Sequence, residues 1–202
     1  MLFFETIKAL DGKLWHQKWH EQRAQRTQKA HFTHFEPLDL TLLPPPPPKG
    51  LWRCKVIYGQ KLEDVEYHPY TPRIIRSLRL VHSHIQYPCK ALDRKELDRL
   101  FDQREECDDI LIHEDGLLKD TSIANIALLY KGEWLTPKEP LLPGTTRDRL
   151  IYEGLLRPVH LEIGDLAKCE KIALLNAMIG FFELGECIIR QRSDDVVRHF
   201  TR

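Results

Sequence analysis

The chain lacks a long hydrophobic run, an excess of either charge and any patterned cysteine. No apolar stretch approaches the roughly 20 residues that span a bilayer, so no membrane is expected as a partner. Lys and Arg number 30 and Asp and Glu number 30, giving zero formal charge. That balance argues against a nucleic-acid binder that works by bulk electrostatics. Cys54, Cys89, Cys107, Cys169 and Cys187 are scattered, odd in number and without CxxC spacing. They read as free thiols in a reducing cytosol. The opening MLFFETIKALDG turns acidic at its fifth residue and has no basic n-region, so it does not read as a signal peptide, and a cytoplasmic location is expected. No internal repeat is visible. No HExxH is present either. His16 and His20 have i, i+4 spacing, but zinc would need a third ligand, and no metal site is expected.

The residues that are present read as an ordinary globular protein. The length of 202 residues suits one or two small domains, and 42% hydrophobic with 30% charged residues supplies a core. A strand is expected over 2–10, closed by the Asp11-Gly12 turn. A helix follows over about 14–30, with Trp15 and Trp19 packed inward and the rest solvated. The five prolines at 44–48 can be neither helix nor central strand and form a stiff extended connector. Strands are expected over 51–58, 65–70 and 74–82. Residues 1–87 therefore read as a small α/β domain with an antiparallel sheet, and 88–202 as a second domain.

In the second half, 91–106 reads as a helix with Leu92, Leu97, Leu100 and Phe101 as a partial apolar stripe. Residues 108–147 read as strand, turn, strand, turn, strand and a loop that opens a helix over 148–156. Asp115-Gly116 is a strong hairpin signal, and Lys131-Gly132 closes the apolar run 123–130. A strand or turn at 159–162, an apolar run at 171–180 and a segment at 183–190 complete the chain.

Polar residues that packing does not require interrupt this pattern: Asp120-Thr121-Ser122, Asn125, and Gly144-Thr145-Thr146-Arg147. Lys90 lies upstream in YPCKALDR. A lysine, a carboxylate and a Gly-Thr-Thr helix start together suggest a site for an aldehyde cofactor that carries a phosphate. Arg23 reads either as a surface charge or as a fork that binds phosphate through two parallel hydrogen bonds. Asn176, inside the 171–180 run, reads as a satisfied core amide. Arg73 stands at a strand entrance after Thr71-Pro72.

Five segments, in order, resemble the class IV aminotransferases, the fold-type IV pyridoxal-phosphate enzymes. FFETIKALDGKLWHQKWHEQR resembles the family's F-E-x-x-x, turn, H-x-x-R opening. KALDR resembles the segment of the Schiff-base lysine, in a form closest to the 4-amino-4-deoxychorismate lyase branch. DGLLKDTSIAN is similar to D-G-x-x-x-E-x-x-x-x-N, WLTPKEPLLPGTTR to T-P-x-x-x-x-L-P-G-I-T-R, and LLNAMIG to the later apolar segment beside the phosphate. The resemblance implies an α+β (α/β) fold, with a small N-terminal α/β domain and a larger C-terminal mixed, β-barrel-like domain.

It also implies roles. Lys90 would be the Schiff-base residue and proton shuttle. Asp120 would keep the pyridine nitrogen protonated, which makes the ring an electron sink. Arg23, Thr145 and Thr146 would hold the phosphate, the two threonines at a helix N-terminus. Thr121, Asn125 and Asn176 would line the cofactor, and Arg73 would meet a substrate carboxylate.

The chain departs from the family in having Asp where Glu is usual at 120, in a tighter Lys90–Asp120 spacing and in a shorter N-terminal half. The expected reaction is that of a 4-amino-4-deoxychorismate lyase in folate biosynthesis, releasing pyruvate and 4-aminobenzoate. An aminotransferase acting on branched-chain or D-amino acids is the alternative, and a non-catalytic relative the second alternative. The resemblance further implies a homodimer.

Overall fold

A computed structural model describes residues 1–192 and 195–201. The chain divides into two compact units, one of residues 1–72 with 89–93, the other of residues 73–88 with 94–202. The small domain and larger sheet domain of the expected α+β class are both present. They differ from a cut at 87/88 in two places: 73–87 joins the second unit, and 89–93 returns to the first.

The first unit holds β1 (Phe3–Leu10), β2 (Lys13–Leu14), α1 (Gln17–His31), β3 (Leu51–Tyr58) and β4 (Leu62–Pro69). Its sheet runs β2-β1-β3-β4, antiparallel throughout. The turn before β2 uses Asp11 at φ 48° and Gly12 at φ 80°, the left-handed pair that matches strand twist in a two-residue hairpin. β2 pairs only with Ala9 and Leu10, which leaves the other end of that β1 edge open. Residues 89–93 fill it. Phe4 N–H donates to the Lys90 carbonyl at 3.0 Å, Leu92 N–H to the Leu2 carbonyl at 2.9 Å, and Phe3 bridges Ala91. The expected helix over 91–106 is therefore shorter, because its first residues are extended against β1.

The core of this unit is built from Phe3, Ile7, Ala24, Cys54, Val56 and Tyr58. The proline run has neither strand nor helix, and the Pro44 carbonyl accepts from the Tyr67 hydroxyl at 2.6 Å. Trp15 is exposed and Trp19 half-buried, contrary to the expected inward packing. The α1 positions facing the sheet are His20, Arg23, Ala24 and Thr27.

The second unit comprises β5 (Ser77–His82), α2 (Lys95–Asp102), β6 (Asp109–Glu114), β7 (Leu117–Thr121), β8 (Asn125–Tyr130), β9 (Glu133–Pro137), α3 (Thr145–Tyr152), β10 (Arg157–Val159), β11 (Lys171–Asn176), β12 (Gly180–Glu183), β13 (Cys187–Arg192) and β14 (Asp195–Phe200). These strands make a ten-stranded mixed sheet in the order β10-β9-β8-β7-β6-β5-β13-β14, with β11 branching from β8 to reach β12. β5 was expected in the antiparallel sheet of the first domain. It lies instead parallel to both β6 and β13, with Leu78 opposite Asp109 and Ile189.

The central β6 reads DILIHE, and its first four residues are all buried. A strand covered on both faces needs such a continuous run. Leu78, Leu111, Leu118, Ile126, Ile172 and Leu174 lead the main core, each side chain contributing about 1.5–3 kcal/mol by burial. α3 begins three residues before the expected 148 and ends ahead of Gly154, which has φ 72°. All five cysteines are free thiols. Among the described residues, no helix is long and apolar enough to cross a membrane.

Candidate functional site

The two units each hold a group of buried polar residues. In the first, Glu5 lies inside the apolar run of β1 and is fully buried. α1 makes that burial tolerable. Its residues 20 and 23 are one turn apart and face the same carboxylate. Arg23 donates from Nε to Glu5 Oε1 at 2.9 Å and from Nη2 to Oε2 at 2.5 Å, a bidentate fork. His20 Nδ1 lies 2.6 Å from Oε2. Burial alone would raise the Glu5 carboxyl, but the Arg23 charge and the His20 hydrogen bond outweigh it and lower the pKa to about 2. Burial also holds His20 below its usual range, against the pull of Glu5. At neutral pH the ring is thus neutral and its Nδ1–H donates, while the charge opposing Glu5 is the guanidinium.

Lys90 belongs to the same unit. It sits on the 89–93 strap, and its Nζ lies 4.5 Å from the centre of the Phe4 ring. The strap's hydrogen bond to Phe4 N–H fixes the backbone there. His16, the other imidazole of the i, i+4 pair, is exposed at the N-cap of α1 with φ 58°, whereas His20 is buried on Glu5.

In the second unit the polar interruptions of the sequence meet at one place. Asp120 on β7 is paired in register with Asn125 on β8. Asp120 Oδ1 accepts from Asn125 Nδ2 at 2.8 Å, and Oδ2 accepts from Leu142 N–H at 2.8 Å. Asn125 Nδ2 also donates to the Leu142 carbonyl at 2.8 Å. The 142–144 loop thereby docks on the two strands. A Cβ at Gly144 would collide with Asn125 Oδ1, so only glycine fits this approach. Burial pushes Asp120 up to about 7, even though Asn125, the Leu142 amide and the Arg147 charge all pull it down.

Gly144 is the N-cap of α3 and offers no side-chain oxygen. The first helical bond runs from Asp148 N–H to the Gly144 carbonyl. The amides of Thr145, Thr146 and Arg147 precede it and have no intrahelical acceptor. Both threonines are buried there. Arg147 folds back and donates from Nη2 to the Pro137 carbonyl at 2.8 Å, fixing β9 to the start of α3.

The remaining expected residues have structural partners. Thr121 Oγ1 accepts from Ala124 N–H at 3.0 Å and from Ile123 N–H at 3.3 Å, forming the turn between β7 and β8. Arg94 braces the same turn through the Ser122 carbonyl at 3.0 Å. Asn176 Oδ1 accepts from Met178 N–H at 2.9 Å and Ile179 N–H at 3.0 Å, so this amide shapes the β11–β12 turn. Arg73 is exposed, donates to the Asp108 carbonyl at 2.8 Å and lies 5.2 Å from the Phe101 ring centre.

Pyridoxal phosphate is the group that the resemblance implies, and the donor types fit it. The α3 N-terminus offers amide N–H groups and two hydroxyls to a phosphate. A buried carboxyl near pKa 7 suits a partner that brings a proton or positive charge. Lys90 supplies an amine. Arg23 is the qualified member, because Glu5 takes its Nε–Nη2 edge. Glu5, His20 and Arg94 lie in the quoted motifs but were not assigned site roles from the sequence. An acid inside the apolar FFETI run was the available signal for Glu5.

The family model described as amino-transferase class IV matches residues 61–187. An uncharacterized protein of Haemophilus influenzae is 31% identical over 183 residues, covering 88% of this chain and 97% of that one. The crystal structure of a "putative 4-amino-4-deoxychorismate lyase" from Haemophilus somnus 129pt is similar with a TM-score of 0.78 and 32% identity, over 89% of this chain and 97% of that one. A hypothetical aminotransferase from Mycobacterium tuberculosis, in a PLP-bound form, matches with a TM-score of 0.72 and 16% identity, over 98% of this chain and 83% of that one. At that identity the likeness is one of fold.

Proposed function

The chain belongs to the amino-transferase class IV family, and we propose that it is a pyridoxal-phosphate enzyme of the 4-amino-4-deoxychorismate lyase type. The observation that supports cofactor use most is the Asp120–Asn125–Leu142 arrangement beside the Gly144 N-cap of α3. It joins a buried carboxyl to a helix start, with glycine where a Cβ would collide. The choice of lyase rests on KALDR and on the 32% identity to the Haemophilus somnus protein of that name.

When bound, pyridoxal phosphate supplies an electron-withdrawing ring to the substrate carbon attached through its amino group. Lys90 would hold the cofactor through Nζ and would serve as the base that takes the proton from the substrate α carbon. Asp120 keeps a proton on the ring nitrogen, and Asn125 holds that carboxylate in orientation. Thr145 and Thr146 bind phosphate through their amides, with the Thr146 hydroxyl as a further donor, and Arg23 adds positive charge. Pyruvate and 4-aminobenzoate leave as products, which puts the step in folate biosynthesis. The enzyme works as a homodimer in the cytoplasm, acting on a small amino-group substrate.

The test is the visible spectrum of the purified protein before and after borohydride, with mapping of the labelled peptide. The expected result is a yellow protein that bleaches and carries the label on Lys90, and a Lys90→Ala variant without the covalent chromophore. A reducible chromophore in Lys90→Ala would refute the assignment of that lysine. Aminodeoxychorismate should then yield pyruvate. Turnover of branched-chain or D-amino acids instead, with no pyruvate from aminodeoxychorismate, would support the aminotransferase reading. A colourless protein that takes up no added cofactor would leave the non-catalytic one. Light scattering after size exclusion checks the dimer.

A further inference from the structure

Away from these residues, the ends of β5 and β6 bring imidazoles and carboxylates together. His82 closes β5 and lies opposite His113 of β6. His84 follows two residues later. Asp115 is the first residue of the β6–β7 turn, at φ 48°. His82 Nε2 lies 3.2 Å from Asp115 Oδ1, and His84 Nε2 lies 3.8 Å from the same oxygen. The two rings meet edge to face with centroids 4.7 Å apart. One ligand atom from each of the three residues falls within 4.8 Å of the others.

A simple ion pair needs one ring and one carboxylate, whereas here two rings turn a nitrogen toward one oxygen atom. The surroundings hold that arrangement. His84 Nδ1 lies 3.3 Å from Glu114 Oε1, and Lys119 Nζ is 3.1 Å from Glu114 Oε2. A carboxylate on the far nitrogen is what orients a metal-binding histidine and fixes its tautomer. The His113 ring also packs near that of His82, with centroids 5.3 Å apart.

We propose that His82, His84 and Asp115 form a binding site for a divalent transition cation of the zinc type. Two imidazole nitrogens and one carboxylate oxygen suit borderline cations. Magnesium and calcium favour all-oxygen sites, and copper(I) favours sulfur. All three ligands are exposed, so water completes the coordination shell. A bound ion ties the end of β5 to the turn that leads into β7, the strand that carries Asp120. The proposal is independent of the reaction assigned above.

The test uses untagged full-length protein, stripped with a chelator, dialysed and titrated calorimetrically with zinc. Cobalt absorption reports the ligand type. The expected result is a single equivalent bound, with a cobalt spectrum free of thiolate charge transfer. His82→Ala and His84→Ala should each weaken binding by at least about 10-fold, and Glu114→Gln by about 10-fold. Asp115→Asn should also weaken it while preserving the turn, because Asn tolerates positive φ. Circular dichroism checks that each variant is folded. Three results would overturn the proposal: no binding, unchanged affinity in the folded His82→Ala/His84→Ala double variant, or a thiolate-to-cobalt band that places the ion on cysteine.

Discussion

Replacing Glu5 by Gln removes the negative charge from a fully buried site while leaving the Arg23 guanidinium in place. The carboxyl falls from its ordinary 4.5 to about 2 in the folded chain. At about 1.4 kcal/mol per pH unit, that displacement is worth about 3 kcal/mol. Breaking a buried ion pair by removing one partner costs about 3–5 kcal/mol by general experience, so the two routes agree. Because the folded value lies below the unfolded one, the contribution is complete above pH 4.5. It is lost as pH falls from there through the folded value near 2. The expected outcome at pH 7 is a loss of about 3 kcal/mol in Glu5→Gln. Below pH 4.5, wild type should lose stability more steeply than the variant, which has no carboxyl to protonate at that position.

Urea titration of cofactor-free protein at a series of pH values measures both effects. Trp15, Trp19 and Trp52 lie in the first unit and report on it by fluorescence. A loss under about 1 kcal/mol at pH 7, or parallel acid limbs in the two proteins, would refute the assignment of Glu5 as the anion that Arg23 serves.

Gly144→Ala sets a Cβ against Asn125 Oδ1, while its φ of −77° adds no backbone strain. It should cost about 1–3 kcal/mol in denaturant titration and weaken pyridoxal-phosphate binding, because the displaced Asn125 also holds Asp120. Asp120→Ala should reduce turnover far more than cofactor occupancy; equal loss of both would point to a structural role. The same variant tests the raised pKa of Asp120. A carboxyl displaced upward from 3.8 to about 7 makes cofactor-free wild type lose stability as pH rises across that interval. Asp120→Ala should lack this slope in urea titrations at pH 4 and pH 8.

Residues that break a pattern were legible, whereas their partners were not. Asp120, Asn125 and the Gly-Thr-Thr-Arg start of α3 interrupt apolar runs that packing alone would leave unbroken, and three of these elements meet through the Leu142 loop. The Asp-Gly and Lys-Gly turns were legible because both of their residues take positive φ. β5 was placed in the wrong sheet because alternation has the same period in parallel and antiparallel strands, and its partner β6 begins more than thirty residues on. The 89–93 strap was hidden for a related reason. Leu97, Leu100 and Phe101 have helical spacing that invites extension toward Ala91, and only the open edge of β1 holds residues 89–93 extended. His82, His84 and Asp115 meet across that same parallel pairing, beyond the reach of local spacing.

Glu5 is the most instructive case. An acid at an inward position of an apolar strand has two outcomes, a different register or a buried pair, and residues 20 and 23 decide between them. The fold does not require the pair. Apolar side chains of matching volume in place of a buried ion pair are often neutral or stabilising, because they avoid the desolvation of two charges. A Glu5→Leu/His20→Phe/Arg23→Met triple variant, which also removes the imidazole that the loss of Glu5 would leave unpaired, should therefore fold about as well as wild type, in contrast to Glu5→Gln alone. If it does, stability does not explain why this unit holds a guanidinium against the strand whose neighbouring Phe4 anchors the Lys90 strap. The phosphate role proposed for Arg23 then supplies a reason for a fixed positive charge in this unit. Cofactor affinity in that triple variant separates the two accounts. Full folding with weakened pyridoxal-phosphate binding assigns the pair to the cofactor, and unchanged binding removes Arg23 from the site.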